Sequence, residues 1–421
     1  MKHYSTVVIG GGAAGIMAAG VAAATGHNVL LCERMEKPQR KVRITGKGRC
    51  NLTNLCDQEE FLAKVRSGAN FIRYAWQQFD CETTMHFFEQ IGVPLSVERG
   101  RRVFPTSGRA WDVAEAHIAW CRQQGVEITT HARVEEITVR NKQITGVFVR
   151  YDDNSTEQIT CQTVILATGG ASYPATGSTG DGYRLAHRLG HTIVPIRPSL
   201  TPLIADRPTP KPLIDFTLRN VSAQLYIDSK KVAEEFGELT FTTLGVGGAI
   251  VLRLSRQAVD ALIDEHHVEL RLDLKPSLSV EQLNARFERE KATLSDKAPI
   301  RHLLAKLVPS LLIGEWARRS KLDPTRPIQT LTATTQRLLI DTLKSWRITI
   351  VDYASFREAI VTAGGVCTDE VNPMNMQSKL IRGLYFAGEV LDIDANTGGY
   401  NLQIAYSTGH LAGKLNPYSW L

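Results

Sequence analysis

Apolar positions in the first 34 residues form two buried strands around one helix. Thr6–Ile9 (TVVI) is a continuous, mostly β-branched apolar run, the pattern of a strand covered on both faces. Residues 16–25 are Ala-rich and free of proline, which predicts a helix that Gly26 ends. Residues 28–32 (NVLLC) form a second buried strand, closed by Glu33. Residues 59–92 carry Phe61, Leu62, Val65, Phe71, Ile72, Trp76 and Phe79 at helical spacing until Gly92-Val93-Pro94 breaks the pattern. Residues 111–124 predict another helix, and 126–130, 133–140 and 144–150 alternate like the strands of a small antiparallel meander. Two apolar strands end in small residues: 162–166, running into Ala167-Thr168-Gly169-Gly170, and 383–388 (GLYFAG). Between them lie a proline-rich stretch (195–212), alternating strands at 218–227, 268–274 and 346–351, and charged helices in 279–345. After Gly398-Gly399 the residues Leu402, Ala405, Tyr406 and Leu411 recur at helical spacing.

The turn between the first strand and the helix reads Gly10-Gly11-Gly12-Ala13-Ala14-Gly15, a G-x-G-x-x-G in register with strand, helix, second strand and acid. Gly10 suits the tight turn, Gly12 lets backbone approach a pyrophosphate, and Gly15 lets helix and strand pack closely. The helix start offers N–H groups to phosphate, and Glu33 stands where a carboxylate holds ribose hydroxyls. The motif alone does not separate FAD from NAD. Asp181-Gly182 opens another helix, and the Gly398-Gly399 turn points the N-terminus of the last helix at an electron-rich ligand.

With 421 residues, 43% hydrophobic and 22% charged, the chain is long enough for two or three domains with ample core. No apolar run has the length of a membrane span, and the start MKHY leads straight into a strand, so no signal peptide is expected. The seven cysteines are scattered without a C-x-x-C, which predicts reduced thiols, a cytoplasmic location and no metal site. The formal charge of +6 permits a polyanionic partner such as RNA without demanding one. Two basic stretches stand out. Residues 37–54 form a Lys/Arg-rich loop with Gly46 and Gly48, ending in Asn51-Leu52-Thr53-Asn54 and placed to reach over a nucleotide. Residues 98–110 carry Arg99, Arg101, Arg102 and Arg109 with no nearby acid beyond Glu98 and Asp112; they form either an anion-binding substrate rim or a solvated turn.

GGGAAG (10–15), RITGKGRCNLTN (43–54), ATGG (167–170), VTAGGV (361–366) and SKLIRGLYFAGEVLDIDANTGGYNLQIAYSTG (378–409) together resemble the BaiN/RdsA family of FAD-dependent oxidoreductases, the YhiN-type flavoproteins. The resemblance runs from end to end. It implies an α/β fold: a discontinuous Rossmann-like FAD-binding domain (1–191 and 358–421) with an inserted β-barrel-like domain (192–278, returning at 346–357) and a helical domain (279–345). It also implies roles. Gly10, Gly12, Ala13, Ala14 and Gly15 would hold the FAD pyrophosphate, and Glu33 with the adjacent Arg34 the adenosine ribose side. Gly48, Arg49, Cys50 and Asn51 would line the cofactor near the flavin, and Val134 would contact adenine through its backbone. Ala167, Thr168 and Gly169 would pack on the nucleotide, Gly388 and Glu389 would bracket the ribityl chain, and Asn401 and Leu402 would present N–H groups to the flavin. One segment departs from the family's F-T-H-x-G-x-S-G-P: residues 241–249 read FTTLGVGGA, with Thr243, Gly247 and Ala249 at the His, Ser and Pro positions.

The function implied is an NAD(P)H-driven reductase of an activated C=C that holds FAD noncovalently. Dihydrouridine formation in 23S ribosomal RNA is favoured; a small-molecule substrate is the other possibility. A small-amine oxidase using oxygen and a flavin-bound RNA-binding protein without turnover are the alternatives. Only one dinucleotide fingerprint is present, so NADH or NADPH would dock without a second Rossmann domain. Cys50 is the candidate proton donor, weighed against a buried structural thiol.

Overall fold

A computed structural model describes residues 2–416 and separates into two compact units, residues 1–198 with 356–421, and 199–355. In the first unit a five-stranded parallel sheet runs in the order Leu384–Phe386, Thr163–Leu166, Thr6–Ile9, Val29–Cys32, Glu127–Thr129. Thr6–Ile9 is central and wholly buried, which is why its sequence is apolar without alternation. The carboxyl ends of adjacent strands lie side by side. There Ile9 precedes the glycine turn, Cys32 precedes Glu33, Leu166 precedes Ala167-Thr168-Gly169, and Phe386 precedes Gly388-Glu389. Four stretches far apart in sequence thus meet at the sheet edge where open α/β folds bind their ligands.

An antiparallel meander (Ala132–Arg140, Gln143–Tyr151, Thr156–Thr160) flanks this sheet, with Lys2–His3 added in parallel. Residues 126–130 do not belong to it: Glu127–Thr129 pairs with Val29–Cys32 as the edge of the parallel sheet. An edge strand is half-exposed and alternates, so its pattern matched the meander's. Residues 59–92 are likewise not one helical stretch. Gln58–Leu62, Ala69–Gln78 and Cys81–Gln90 are separate helices, and the Asp57 and Asp80 side chains accept the first-turn N–H groups of Glu60 and Thr83.

The second unit is a closed barrel of six strands, Leu203–Ala205, Gly245–Gly247, Lys230–Phe241, Thr217–Ile227, Val268–Asp273 and Trp346–Tyr353. Four helices, Val280–Ala292, Ile300–Ala305, Ser310–Arg319 and Ala333–Lys344, precede the last strand and share one core with the barrel through Leu283, Phe287, Trp316 and Leu339. In residues 241–255 Phe241 ends the strand Lys230–Phe241 and Gly245–Gly247 is a short strand; Ala249–Ile263 is a helix that buries Ile250, Val251, Leu254 and Ala258 against the barrel. Gly248 starts it at φ +86°, where a Cβ would meet the backbone of residues 238–240.

Candidate functional site

The glycine turn is shaped by what its missing side chains allow. A Cβ on Gly10 (φ +103°) would sit 2.6 Å from the Ala167 carbonyl oxygen, and one on Gly15 would overlap the Gly10 oxygen at 1.8 Å. These two glycines let the first helix close onto two strand ends. Gly12 differs: a Cβ there meets nothing within 4 Å, so it faces an open groove. No side chain caps the helix Ala13–Ala24, and its first internal bond is Ile16 N–H to Gly12 O. The N–H groups of Ala13, Ala14 and Gly15 precede that bond and stand at the open groove, a setting for an anion such as a pyrophosphate.

Glu33 is buried at the end of its strand. Its Oε2 accepts from Gly11 N–H at 2.7 Å and its Oε1 from Met35 N–H at 2.8 Å. Burial raises its pKa, and these amides partly oppose that. The carboxylate therefore braces the glycine turn as well as standing beside it. Ala132 N–H donates to the Glu33 carbonyl (2.9 Å), which stitches the edge strand Ala132–Arg140 to this corner. Strand alternation then turns the Val134 N–H, two residues on, to the same free edge. Arg34 is held by Thr179 and by Asp181, whose carboxylate lies 2.8 Å away at the start of the helix Asp181–Arg188.

The basic stretch 37–54 is only partly the expected loop. Residues 40–44 are helical, and the chain then leaves the helix through Gly46 and Lys47, both left-handed. Gly48 (φ +83°) is exposed with nothing within 4 Å of a built Cβ. Arg49 lies over the Phe104 ring at 4.4 Å and pairs with Glu98. Asn51 leaves its Oδ1 buried without a partner. Cys50 requires a correction. It is wholly buried among Met17, Val42, Leu52, Phe88 and Tyr406, and burial pushes its thiol up to about 12. A proton donor to a groove-bound molecule needs a face on that groove, and Cys50 has none; it is a core thiol.

The C-terminal stretch closes the site from the other side. Gly388 (φ +75°) leaves 2.7 Å between a built Cβ and the Ala14 Cβ, and its N–H donates to Thr408 Oγ1. Glu389 accepts from Thr362 N–H (2.9 Å) and pairs with Lys41. Gly399 (φ +98°) abuts the backbone of Thr53 so closely that a Cβ would lie 2.4 Å from it, and it starts the helix Tyr400–Gly413 without a side-chain cap. The first internal bond there is Gln403 N–H to Gly399 O, so the Asn401 and Leu402 amides precede it. The Asn401 side chain is spent on the Ala395 and Asn396 backbone. Lys41, Thr362 and Asn54 also belong to this site; Lys41 and Asn54 reach partners 348 and 344 residues away, which local sequence pattern does not report.

Arg99, Arg101, Arg102 and Arg109 are all exposed, around a buried Val103-Phe104-Pro105. The expected lack of acids is corrected by Glu60, which pairs with Arg101 at 2.6 Å. Arg109 lies 3.8 Å from Asp112, whereas Arg99 and Arg102 have no carboxylate partner among the described residues. Arg102 pairs across the sheet with Asn54, whose Nδ2 donates to both Gly100 O (3.1 Å) and Gly398 O (3.2 Å). One amide side chain thus ties the cationic turn to the turn that opens the last helix.

The parallel sheet, the glycine turn and two uncapped helix starts define a dinucleotide-binding oxidoreductase fold, and the open cradle at Gly12 fits the pyrophosphate of FAD. The chain belongs to the family described as HI0933-like protein Rossmann domain, whose model matches residues 4–415. It is 35% identical over 415 residues to the 3-dehydro-bile acid delta(4,6)-reductase of Clostridium scindens, covering 97% of each chain. It is 28% identical over 408 residues to the ribosomal RNA dihydrouridine synthase of Escherichia coli, covering 97% of this chain and 96% of that one. The 3-ketosteroid-delta4-(5alpha)-dehydrogenase of Rhodococcus jostii shares the fold at a TM-score of 0.52 and 15% identity, over 98% of this chain and 96% of that one. The expected fold class, family and enzyme class are borne out: the protein is an FAD-dependent oxidoreductase. Among the described residues no helix is long and apolar enough to cross a membrane, and no cluster of three metal-ligating side chains occurs.

Proposed function

We propose that this oxidoreductase uses NADH or NADPH to reduce an activated carbon–carbon double bond, with a uridine of large-subunit ribosomal RNA as the favoured substrate and the cytoplasm as its place of work. The observation that carries this reading is the Asn54 link, whose hydrogen bonds to Gly100 O and Gly398 O join the turn carrying exposed Arg99 and Arg102, which lack a carboxylate partner among the described residues, to the turn before the helix Tyr400–Gly413. A cationic rim beside a redox site suits a substrate with phosphates on either side of the reacting base. The relatives named as ribosomal RNA dihydrouridine synthases favour the same substrate.

FAD held noncovalently supplies two-electron hydride chemistry when bound. The amides of Gly12, Ala13, Ala14 and Gly15 hold its pyrophosphate, with Gly10 setting the turn. Glu33, beside Arg34, accepts the ribose hydroxyls, and the Val134 backbone meets adenine. Ala167, Thr168 and Gly169 wall the nucleotide; Gly388, Glu389, Gly48, Arg49 and Asn51 surround the remainder. The Asn401 and Leu402 amides would favour negative charge at the start of the last helix.

The 35% identical bile-acid relative favours a second reading, an unsaturated ketosteroid reduced by the same chemistry. Anaerobic mixing with NADH and NADPH tests the donor: rapid loss of the yellow absorbance is expected, and loss only with an amine would establish an oxidase instead. Deletion of the gene followed by mass spectrometry of large-subunit RNA tests the substrate. Dihydrouridine should disappear; its persistence overturns the RNA reading.

A further inference from the structure

The second unit holds a cavity of about 230 Å³, lined by residues between Ala205 and Ile348. Leu213, Phe241, Val246, Trp346 and Ile348 give it an apolar lining, and each of them is buried. Phe241, Gly245 and Val246 come from the segment that departs from the family pattern. A Cβ on Gly245 would lie 2.2 Å from the Leu203 carbonyl oxygen, so a glycine there lets Gly245–Gly247 close against Leu203–Ala205. The remaining wall is charged. Arg318 and Arg319 end the helix Ser310–Arg319, and Arg207 stands on the turn that follows Leu203–Ala205.

The charges in this wall do not cancel. Glu315 is buried, and its carboxylate accepts from Nε and Nη2 of Arg318 (2.7 and 2.5 Å) and from Nε of Arg319 (2.8 Å). Burial raises its pKa, but these bonds outweigh burial and hold the carboxyl below its usual value. One carboxylate thus serves two guanidinium groups. Arg319 lies over the Trp346 ring at 4.7 Å and donates from Nη1 to the Arg347 carbonyl at 2.6 Å; burial lowers its pKa. Nη2 of Arg319 and Nη1 of Arg318 have no partner among the described residues. Arg207 has only its neighbour Asp206 among them, at 3.9 Å. Three guanidinium groups against the carboxylates of Asp206 and Glu315 leave the lining with one surplus positive charge. A charge held beside apolar walls costs free energy unless an opposite charge meets it.

We propose that this cavity binds a small organic monoanion, a carboxylate on an apolar body, with the carboxylate at the arginine wall and the body against Leu213, Phe241, Val246 and Ile348. One carboxylate matches the one surplus charge and the planar fork of a guanidinium group. The volume is below the roughly 300–1,000 Å³ of sites for drug-sized ligands, which limits the body to a short chain or a single ring. A phosphate dianion would bring more charge than the wall offsets and would leave the apolar lining uncovered. None of the lining residues belongs to the cofactor groove or to the arginine turn at 98–110.

The test titrates the FAD-loaded protein with 4-phenylbutyrate, with its uncharged amide and with inorganic phosphate, by isothermal titration calorimetry. The expected result is one site for 4-phenylbutyrate, binding weaker by about tenfold for the amide, and no measurable heat from phosphate. Arg318→Gln leaves Arg319 on Glu315 and should weaken 4-phenylbutyrate by about tenfold. Arg207→Gln removes no hydrogen bond and, because that charge is exposed, should weaken it about threefold. Flavin content should be unchanged in both variants. Equal affinity for the amide would leave an apolar cavity without an anion site. Phosphate binding as tight as the carboxylate's would leave an anion site without an apolar one, and affinity untouched by both substitutions would place the ligand elsewhere. Each of these results, or no binding of 4-phenylbutyrate at millimolar concentration, overturns the proposal.

Discussion

Lys41 Nζ and Glu389 Oε2 form an ion pair of 2.7 Å between residues 348 apart in sequence. Each side chain is about one-fifth exposed, and the other carboxylate oxygen of Glu389 accepts the Thr362 N–H. The pair ties the basic segment that follows the second strand to the C-terminal stretch. Glu389→Ala removes a charge-assisted hydrogen bond and an amide acceptor together and should cost about 1.5–3 kcal/mol by chemical denaturation. FAD release should become faster, because both walls of the groove lose a shared anchor. Unchanged stability with unchanged FAD affinity would show that the pair holds nothing.

Gly12 and Gly15 separate folding from cofactor binding. A methyl at Gly15 would lie 1.8 Å from the Gly10 oxygen, so Gly15→Ala must move backbone and should destabilise the protein by about 1–3 kcal/mol or more. A side chain at Gly12 meets no protein atom within 4 Å. Gly12→Val should therefore leave the melting temperature of the cofactor-free protein within a few degrees of wild type while abolishing the yellow colour after saturation with FAD. A Gly12→Val protein that still binds FAD would place the pyrophosphate elsewhere.

These two glycines also show why the nucleotide corner was legible in the sequence. Its elements are local: strand, turn, helix, strand and Glu33 fall within 34 residues, and each carries its own pattern. The C-terminal wall was legible through a resemblance together with the Gly398-Gly399 punctuation. What pattern did not show depends on distant partners. Glu60 reaches Arg101 and Lys41 reaches Glu389 only because separate elements fold against one another. Cys50 was misplaced for a related reason. It adjoins residues of the basic loop, yet its left-handed backbone (φ +59°) accompanies a side chain buried in the core, and sequence neighbourhood does not report side-chain direction. The strand at 127–129 was read as a strand but assigned to the meander, because neighbouring strands in sequence share a pattern; the helix Ala249–Ile263 was missed because a short apolar run fits strand or helix alike.

Arg99 and Arg102 provide the test of the rim. Both are exposed and lack a carboxylate partner among the described residues, so neutralising them removes no ion pair. Arg99→Gln and Arg102→Gln should change stability by no more than about 0.5 kcal/mol. Each should weaken binding to a ribosomal RNA fragment and reduce the salt dependence of that binding by about one counterion. Arg101→Gln gives a control, since its exposed pair with Glu60 is worth about 0–1 kcal/mol. RNA affinity that survives all three substitutions at every salt concentration would move the RNA surface away from this turn.

His117 should govern stability in mild acid. Its ring is wholly buried between Phe87, Phe88, Trp120 and Tyr406. Nδ1 lies 2.8 Å from Gln39 Nε2 and accepts a hydrogen bond from it, which leaves the ring hydrogen on Nε2, without a partner. Burial lowers its pKa from 6.5 to about 3. A depressed value means the folded protein keeps this ring neutral while the unfolded chain takes up a proton below pH 6.5. The contribution is therefore complete above pH 6.5 and is lost progressively as the pH falls toward 3, at up to about 1.4 kcal/mol per pH unit. His410, lowered to about 4 by burial, adds a second loss of the same sign over a narrower window. His117→Gln keeps an acceptor for Gln39 but cannot take a proton. Urea denaturation between pH 7 and pH 4 should show the variant less stable than wild type at neutral pH, with the gap closing as the pH falls. A gap that stays constant across that range would mean that His117 is protonated inside the folded protein, contrary to its enclosure by four aromatic rings.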